Sequence, residues 1–213
     1  MDKDKFERIT KYCTSKGFDD LVGWAIWEKD INNVSMFDEE ELKETIPRLK
    51  DNIVIMGLNA STMKDESKVK KWGGFHYQER DSWLRELVER NSEKLEGAYM
   101  TDVFKIRESN AKEVKKEVKN DKKRSEEFDL LEEELNKLGD NLTIILIGND
   151  AEKYFRMFEK EKKKIGNHHV YKIPHYSQYT KKEKGTLIDT YIAEAEDQLK
   201  LELYVKHNTI LGR

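Results

Sequence analysis

Asn52-Ile53-Val54-Ile55-Met56-Gly57-Leu58-Asn59-Ala60-Ser61 is a short apolar run that closes on a glycine and a polar turn. A run of this kind, bounded by turn residues, has the pattern of a strand buried on both faces. Ala98 to Phe104, Leu142 to Ile147 and His169 to Ile173 read the same way, and the third of these four runs is a continuous aliphatic stretch ending at Gly148. Between the runs the apolar residues recur at helical spacing. Trp83, Leu84, Leu87 and Val88 mark a helix over 80–91. Phe128, Leu131, Leu135 and Leu138 give an apolar stripe to a highly charged helical stretch over 111–138. Asp150 is placed to cap a helix carrying Tyr154, Phe155 and Phe158, and a C-terminal helix starts in the 180s. Four short strands alternating with helices predict an α/β fold: a three-layer α/β/α sandwich around a central four-stranded, mainly parallel sheet.

Upstream, Phe6, Ile9 and Tyr12 predict a helix over 4–16 that stops at Gly17. Leu21 to Trp27 is apolar and is expected to cover an edge of the core. Asp38 and Glu41 have capping-box spacing for a short helix over about 39–46. The chain therefore reads as one domain over 1–213, with a helical cover over about 1–50 and a charged helical insertion over about 108–138.

Apolar residues make up 37% of the 213 and charged residues 39%. A thin core under a charged helical surface accounts for both values. Disorder does not, because four Trp, nine Tyr and eight Phe are spread along the chain. The net charge of −3 gives no global basic signature for nucleic acid, so a polyanion site has to come from local clustering. Cys13 is the only cysteine, which leaves no internal disulfide and no CxxC zinc site and fits a reducing, cytoplasmic setting. Met1 to Lys5 lacks the apolar segment of a signal peptide, and no apolar run is long enough to cross a bilayer. His168 and His169 are adjacent on a strand and alternate in direction, so they cannot share an ion; neither a metal nor a cofactor is expected.

In open parallel sheets, ligands bind beyond the carboxyl ends of the strands. Three strand ends carry polar segments there. After the first strand, Gly57 allows close backbone approach, and Asn59 offers a donor and an acceptor. Within Tyr99-Met100-Thr101-Asp102-Val103-Phe104-Lys105, a carboxylate interrupts a buried strand, which is costly unless the group is paired or used. In Ile173-Pro174-His175-Tyr176-Ser177, proline ends the strand and His175 follows at the sheet edge. Each has a plain structural reading: a strand-ending turn, a partnered structural Asp, a structural His.

Taken together, the four segments resemble the uracil-DNA glycosylase superfamily. Gly57-Leu58-Asn59-Ala60-Ser61 is similar to its first motif, G-x-N-P-G or G-x-N-P-S. Residues 99–105 resemble the Y-I-T-N-x-x-K strand of the thermophile-type branch. Leu146 to Ala151 resembles its strand–Gly–x–x–Ala turn into a helix, and His175-Tyr176-Ser177 its H-P-S motif. The four occur in the family's order over residues 52–179. The resemblance implies the corresponding fold, and a DNA N-glycosylase that extrudes a base before cutting its glycosidic bond. Under it, Asn59 holds the attacking water and His175 donates to the charge developing on the leaving base. Gly57, Leu58, Phe75, Asp102 and Ser177 surround the base, with Phe75 stacking on it. Ser61, Lys105, Arg107 and Tyr176 meet the DNA backbone.

Three departures stand out. Ala60 replaces the first motif's Pro, Tyr176 replaces the Pro of the H-P-S motif, and Asp102 stands where the thermophile-type strand has Asn. An amide there can accept from a pyrimidine N3–H while donating to O4; an ionised Asp only accepts. Activity selective for uracil is therefore not expected. Lysines and arginines crowd 105–124, and a second run holds Lys160, Lys162, Lys163 and Lys164. Either could meet phosphates, although interleaved glutamates are also the pattern of a solvated helix face. Two further readings stand beside the enzyme: a non-catalytic nucleic-acid or nucleotide binder on the same fold, and an interaction protein, such as a phage or mobile-element factor, working through its charged helices.

Overall fold

A computed structural model describes residues 1–30, 33–61, 70–76, 81–162, 166–179 and 187–199. Five strands form one sheet in the order β1-β3-β2-β4-β5: β1 Gly23–Trp24, β2 Lys50–Asn59, β3 Ala98–Phe104, β4 Thr143–Ile147 and β5 His169–Ile173. β2, β3, β4 and β5 pair in parallel. These are the four apolar runs of the sequence. The fifth strand corrects the count: the apolar stretch 21–27 contributes two residues, antiparallel to β3, at the sheet's edge.

The strands alternate between two cores, as period-2 side chains must when both faces are covered. Val54, Met56, Tyr99, Ile144 and Leu146 belong to a core with α1 (Lys3–Lys16), α6 (Asp121–Leu138) and α7 (Gly148–Glu161). Ile55, Met100, Ile145, Tyr171 and Ile173 belong to the opposite core, with α3 (Asp81–Arg90), α4 (Ser92–Leu95) and the helix over 187–199, α8. The result is a three-layer α/β/α sandwich.

Several boundaries differ from expectation for local reasons. The short helix α2 covers only Leu42–Thr45, and its N-terminus has no side-chain cap, so Asp38 and Glu41 do not form the anticipated box. The charged stretch 111–138 is two helices, α5 (Ala111–Glu117) and α6. They are separated where Asn120 caps α6 by accepting from the Lys122 and Lys123 N–H groups. Asp150 does not cap α7; it lies in the first turn and pairs with Lys115 at 2.5 Å. Lys163, Lys164, Arg80 and the expected start of the last helix lie outside the described residues.

β2 leads to β3 on one side, and β4 leads to β5 on the other. The carboxyl ends of the adjacent strands β2 and β4 therefore feed connections that diverge, and divergence of that kind opens a crevice at the sheet's edge.

Candidate functional site

A cavity of about 590 Å³ occupies that crevice. Its walls include Gly57, Leu58 and Asn59 from β2, Asp102 from β3, Gly148 from the start of α7, and His175, Tyr176 and Ser177 after β5. Phe75, Arg107 and Ser61 complete the set of expected site residues that line it. Lys105 is the exception. Its side chain is 4% exposed, and its Nζ sits 2.7 Å from Glu134 of α6 while donating to the Asp102 carbonyl at 2.8 Å. It lies on the α6 side of the sheet and cannot meet a DNA backbone from there.

Asn59 is held by its own amide. Nδ2 donates to the Ala60 carbonyl at 3.0 Å and to the Glu108 carbonyl at 2.5 Å. The Glu108 N–H donates to the Ala60 carbonyl at 3.0 Å. Carbonyls on the nitrogen side fix which way the amide faces and leave Oδ1 as the acceptor for the cavity. The same bonds tie the turn after β2 to the loop after β3. They supply the rigidity that a proline at Ala60 would otherwise give.

Asp102 stands opposite Gly57 in the β2–β3 register. A Cβ at Gly57 would collide with Asp102 Oδ1, so only glycine leaves the carboxyl its place. The carboxyl is 4% exposed and has no hydrogen-bond partner among the described residues. Burial pushes its pKa up to about 7; Lys105 pulls the other way, and Glu134 and Asp81 add to the rise. An ionised carboxyl there only accepts. The neutral acid, which burial favours, can also donate.

His175 Nδ1 accepts the Ser177 N–H at 3.1 Å. In the neutral ring this places the proton on Nε2, so Nε2 is the donor. Gly148, at φ +85°, opens α7 against this histidine, and a Cβ there would come within 2.8 Å of His175 Cβ. Phe75 is positioned by strain. It and Trp72 are the two non-glycine residues with positive φ among the described residues, at 67° and 64°. Such conformations cost roughly 1–3 kcal/mol and persist only where the surroundings enforce them. Here the Trp72 N–H bonds to Asp19 and the Gly74 N–H to Val22, bolting the loop to the segment that contains β1.

The expected backbone contacts are partly committed. Arg107 grips both oxygens of Asp20 at 2.6 Å. Tyr176 donates its hydroxyl to Asp81 at 3.3 Å and packs edge-on against Tyr191. Ser61 is exposed at the rim. Asp81, 5% exposed in the cavity wall, was not singled out from the sequence; it looks there like an ordinary acidic first-turn residue of α3. The basic run is largely spent on neighbours. Lys116 pairs with Glu113, Lys123 with Glu127, and Arg124 with Asp121 and Glu161. Among the described residues, no group of three or more His, Cys, Asp or Glu could hold a metal, and no helix is long and apolar enough to cross a membrane.

The family model described as the uracil DNA glycosylase superfamily matches residues 38–200, which span β2 to β5 and every wall of the cavity except Asp20 and Leu21. The chain belongs to the uracil DNA glycosylase superfamily. No curated protein matches it. At the level of the superfamily its function is DNA glycosylase-like. Within that superfamily the chain carries its Asn59 turn and its His175 segment on one cavity, with the Asp102 carboxyl of β3 in the same wall.

Proposed function

We propose that this superfamily member takes an extruded base into the cavity above Gly57 and hydrolyses its glycosidic bond, without selectivity for uracil. The observation that carries the reading is the meeting of Asn59, Asp102 and His175, from three separated segments, on one cavity at the carboxyl ends of parallel strands. Asn59 Oδ1 orients water toward the sugar as it approaches an oxocarbenium-like state. The amide orients the water without deprotonating it. His175 Nε2–H donates to the charge that develops on the departing base, and a preorganised donor of this kind contributes about 10²- to 10³-fold in rate. Phe75 offers a ring face for stacking, worth about 1–3 kcal/mol per base.

The test is base release from oligonucleotides that each carry one modified or deaminated base, uracil included. Release is expected from several of these substrates, with Asn59→Ala and His175→Ala each lowering the rate about 10²-fold or more. Base-dependent binding without release would favour the non-catalytic binder. The three departures at Ala60, Asp102 and Tyr176 are what keep that second reading in play.

A further inference from the structure

Asp20 and Leu21 line the cavity but precede the segment that matches the superfamily, which begins at residue 38. Asp20 meets Arg107, which lines the cavity from the loop after β3. One nitrogen of the guanidinium, Nη2, donates to both carboxylate oxygens at 2.6 Å. Nε and Nη1 have no protein partner among the described residues. The Arg107 side chain is 43% exposed and the Asp20 side chain 18%. An arginine presents a planar fork of N–H donors, and its best partners engage two nitrogens at once. At Asp20 one nitrogen is engaged, and the rest of the fork is unused.

The ion pair is not what holds these two segments in place. The Trp72 N–H bonds to the Asp19 carbonyl at 2.7 Å and the Gly74 N–H to the Val22 carbonyl at 3.1 Å, and Gly23 bridges to Gly73. Phe18, Leu21 and Val22 are buried around Asp20. Beside Arg107, Ile106 is buried, the Glu108 N–H donates to the Ala60 carbonyl, and the Glu108 carbonyl accepts from Asn59 Nδ2. Both backbones are fixed by these bonds, so the two side chains can part without moving either. A half-exposed pair adds little to stability, which leaves the guanidinium open to a better partner. The same bonds set Arg107 one residue from the carbonyl that orients the Asn59 amide.

We propose that Arg107 is a phosphodiester site at the mouth of the cavity, and that Asp20 occupies it until a nucleic-acid backbone displaces the carboxylate. Phosphate is the other natural partner of the guanidinium fork and can take two of its nitrogens, including those that Asp20 leaves unused. The carboxylate is tethered beside the arginine, so an arriving strand has to compete with it. A strand that presents a phosphate at the mouth can do so. A free base or nucleoside has no phosphate to offer and leaves the pair closed. Asp20 thus keeps an empty mouth from holding stray anions and admits a backbone. The inference rests on the nucleic-acid reading of the cavity and adds to it the group that admits the strand.

The measurement is the affinity of the full chain for an unmodified single-stranded oligonucleotide over about 50 to 200 mM salt. Backbone contacts do not depend on the base, so no particular base is needed. Asp20→Asn is expected to tighten binding about twofold to fivefold, the range that a half-exposed pair commands, while its unfolding transition stays nearly where it was. Arg107→Gln is expected to weaken binding and to flatten the slope of log affinity against log salt by about 0.7, the value of one phosphate contact on a single strand. In the Arg107→Gln background the gain from Asp20→Asn should largely vanish. Asp20→Ser and Arg107→Met provide a second pair of changes should either of the first fail to fold. A gain as large without Arg107 as with it would mean that Asp20 acts only through its charge, and would overturn the proposal. So would an unchanged slope in Arg107→Gln, or an Asp20→Asn protein that loses stability and gains no affinity. If the oligonucleotide binds neither the unmodified protein nor any variant, the nucleic-acid reading of the cavity fails, and the inference fails with it.

Discussion

Thr101 and Asp102 are neighbours on one strand, both buried, and they meet opposite fates. On the Thr101 face, Glu134 Oε1 accepts from the Tyr99 and Thr101 hydroxyls, each at 2.8 Å. Lys105 Nζ lies 2.7 Å from Glu134 Oε2 and donates to Thr101. Cys13 Sγ packs 3.6 Å from the Tyr99 hydroxyl. On the Asp102 face there is a carboxyl group over a glycine and a cavity. Glu134 Oε2 has no hydrogen bond of its own and is held by the charge of Lys105. Buried groups paired in this way hold a fold together, whereas a carboxyl facing a cavity, with no partner among the described residues, is a place where stability has been given up. The contrast makes opposite-sign predictions for two buried acids that lie on either side of the sheet.

The largest effect is expected at Glu134. Removing one partner of a buried ion pair leaves the other charge uncompensated and costs about 3–5 kcal/mol. Glu134→Gln should lower the free energy of urea unfolding by that amount. The paired replacement Lys105→Met with Glu134→Leu removes both charges together and should recover the part of the loss due to an unpaired charge, but not the part due to the Tyr99 and Thr101 hydroxyls, which lose their acceptor. If Glu134→Gln proves nearly neutral, the network is not what holds α6 to β3, and the contrast between the two faces collapses.

Asp102→Asn should stabilise, and how strongly depends on pH. The folded-state pKa is raised from 3.8 to about 7. The acid form's contribution to stability is therefore complete below about pH 3.8 and is lost as pH rises through about 7. A shift of that size corresponds to roughly 4 kcal/mol. Buried His76 acts in the opposite direction. Its Nε2 donates to the Trp24 carbonyl at 3.2 Å, and burial pushes its pKa down to about 4. Its contribution is present above about pH 6.5 and is lost as pH falls through about 4, roughly 3 kcal/mol by the same conversion. Between pH 4 and 6.5 the two slopes largely cancel in the unmodified protein. Asp102→Asn removes one of them, so its unfolding free energy should rise with pH across that window while the unmodified protein's stays nearly level. A parallel offset at every pH would mean that Asp102 does not titrate where its burial places it.

The residues on the two faces were not equally legible in the sequence. The four parallel strands could be read because strands buried on both faces are written as continuous apolar runs. Asn59, Asp102 and His175 each have an ordinary structural reading, and they stand out only together, in an order that resembles the superfamily's motifs. The stretch 21–27 is legible as apolar cover for an edge but not as strand β1, since Gly23 and Trp24 are too few to show a period. Glu134 was hidden by its surroundings: within the 18 residues of α6 it is one acidic residue among many. Glu127, Phe128, Leu131, Glu134, Leu135 and Leu138 do share one helical face, and that spacing was the available clue. Lys105 was misplaced because sequence proximity to Asp102 does not say on which side of the sheet a long side chain will lie. The left-handed backbone at Phe75 could not be read at all, because two glycines next to it were the obvious residues to adopt it.

The smallest expected effect tests whether charge on the outer surface belongs to either class. Lys115 of α5 and Asp150 of α7 are 35% and 45% exposed and pair at 2.5 Å. Solvent screening limits such pairs to about 0.2–1 kcal/mol, so a double-mutant cycle with Lys115→Ala and Asp150→Ala should return a coupling in that range. The two single changes should still differ. Asp150 lies in the first turn of α7, where a carboxylate also meets the positive end of the helix dipole. Losing it removes both terms, whereas losing Lys115 removes one. A larger loss for Lys115→Ala than for Asp150→Ala would mean that Lys115 is held for something other than its partner, and the cavity rim that Asp150 shares would be the first place to look for it.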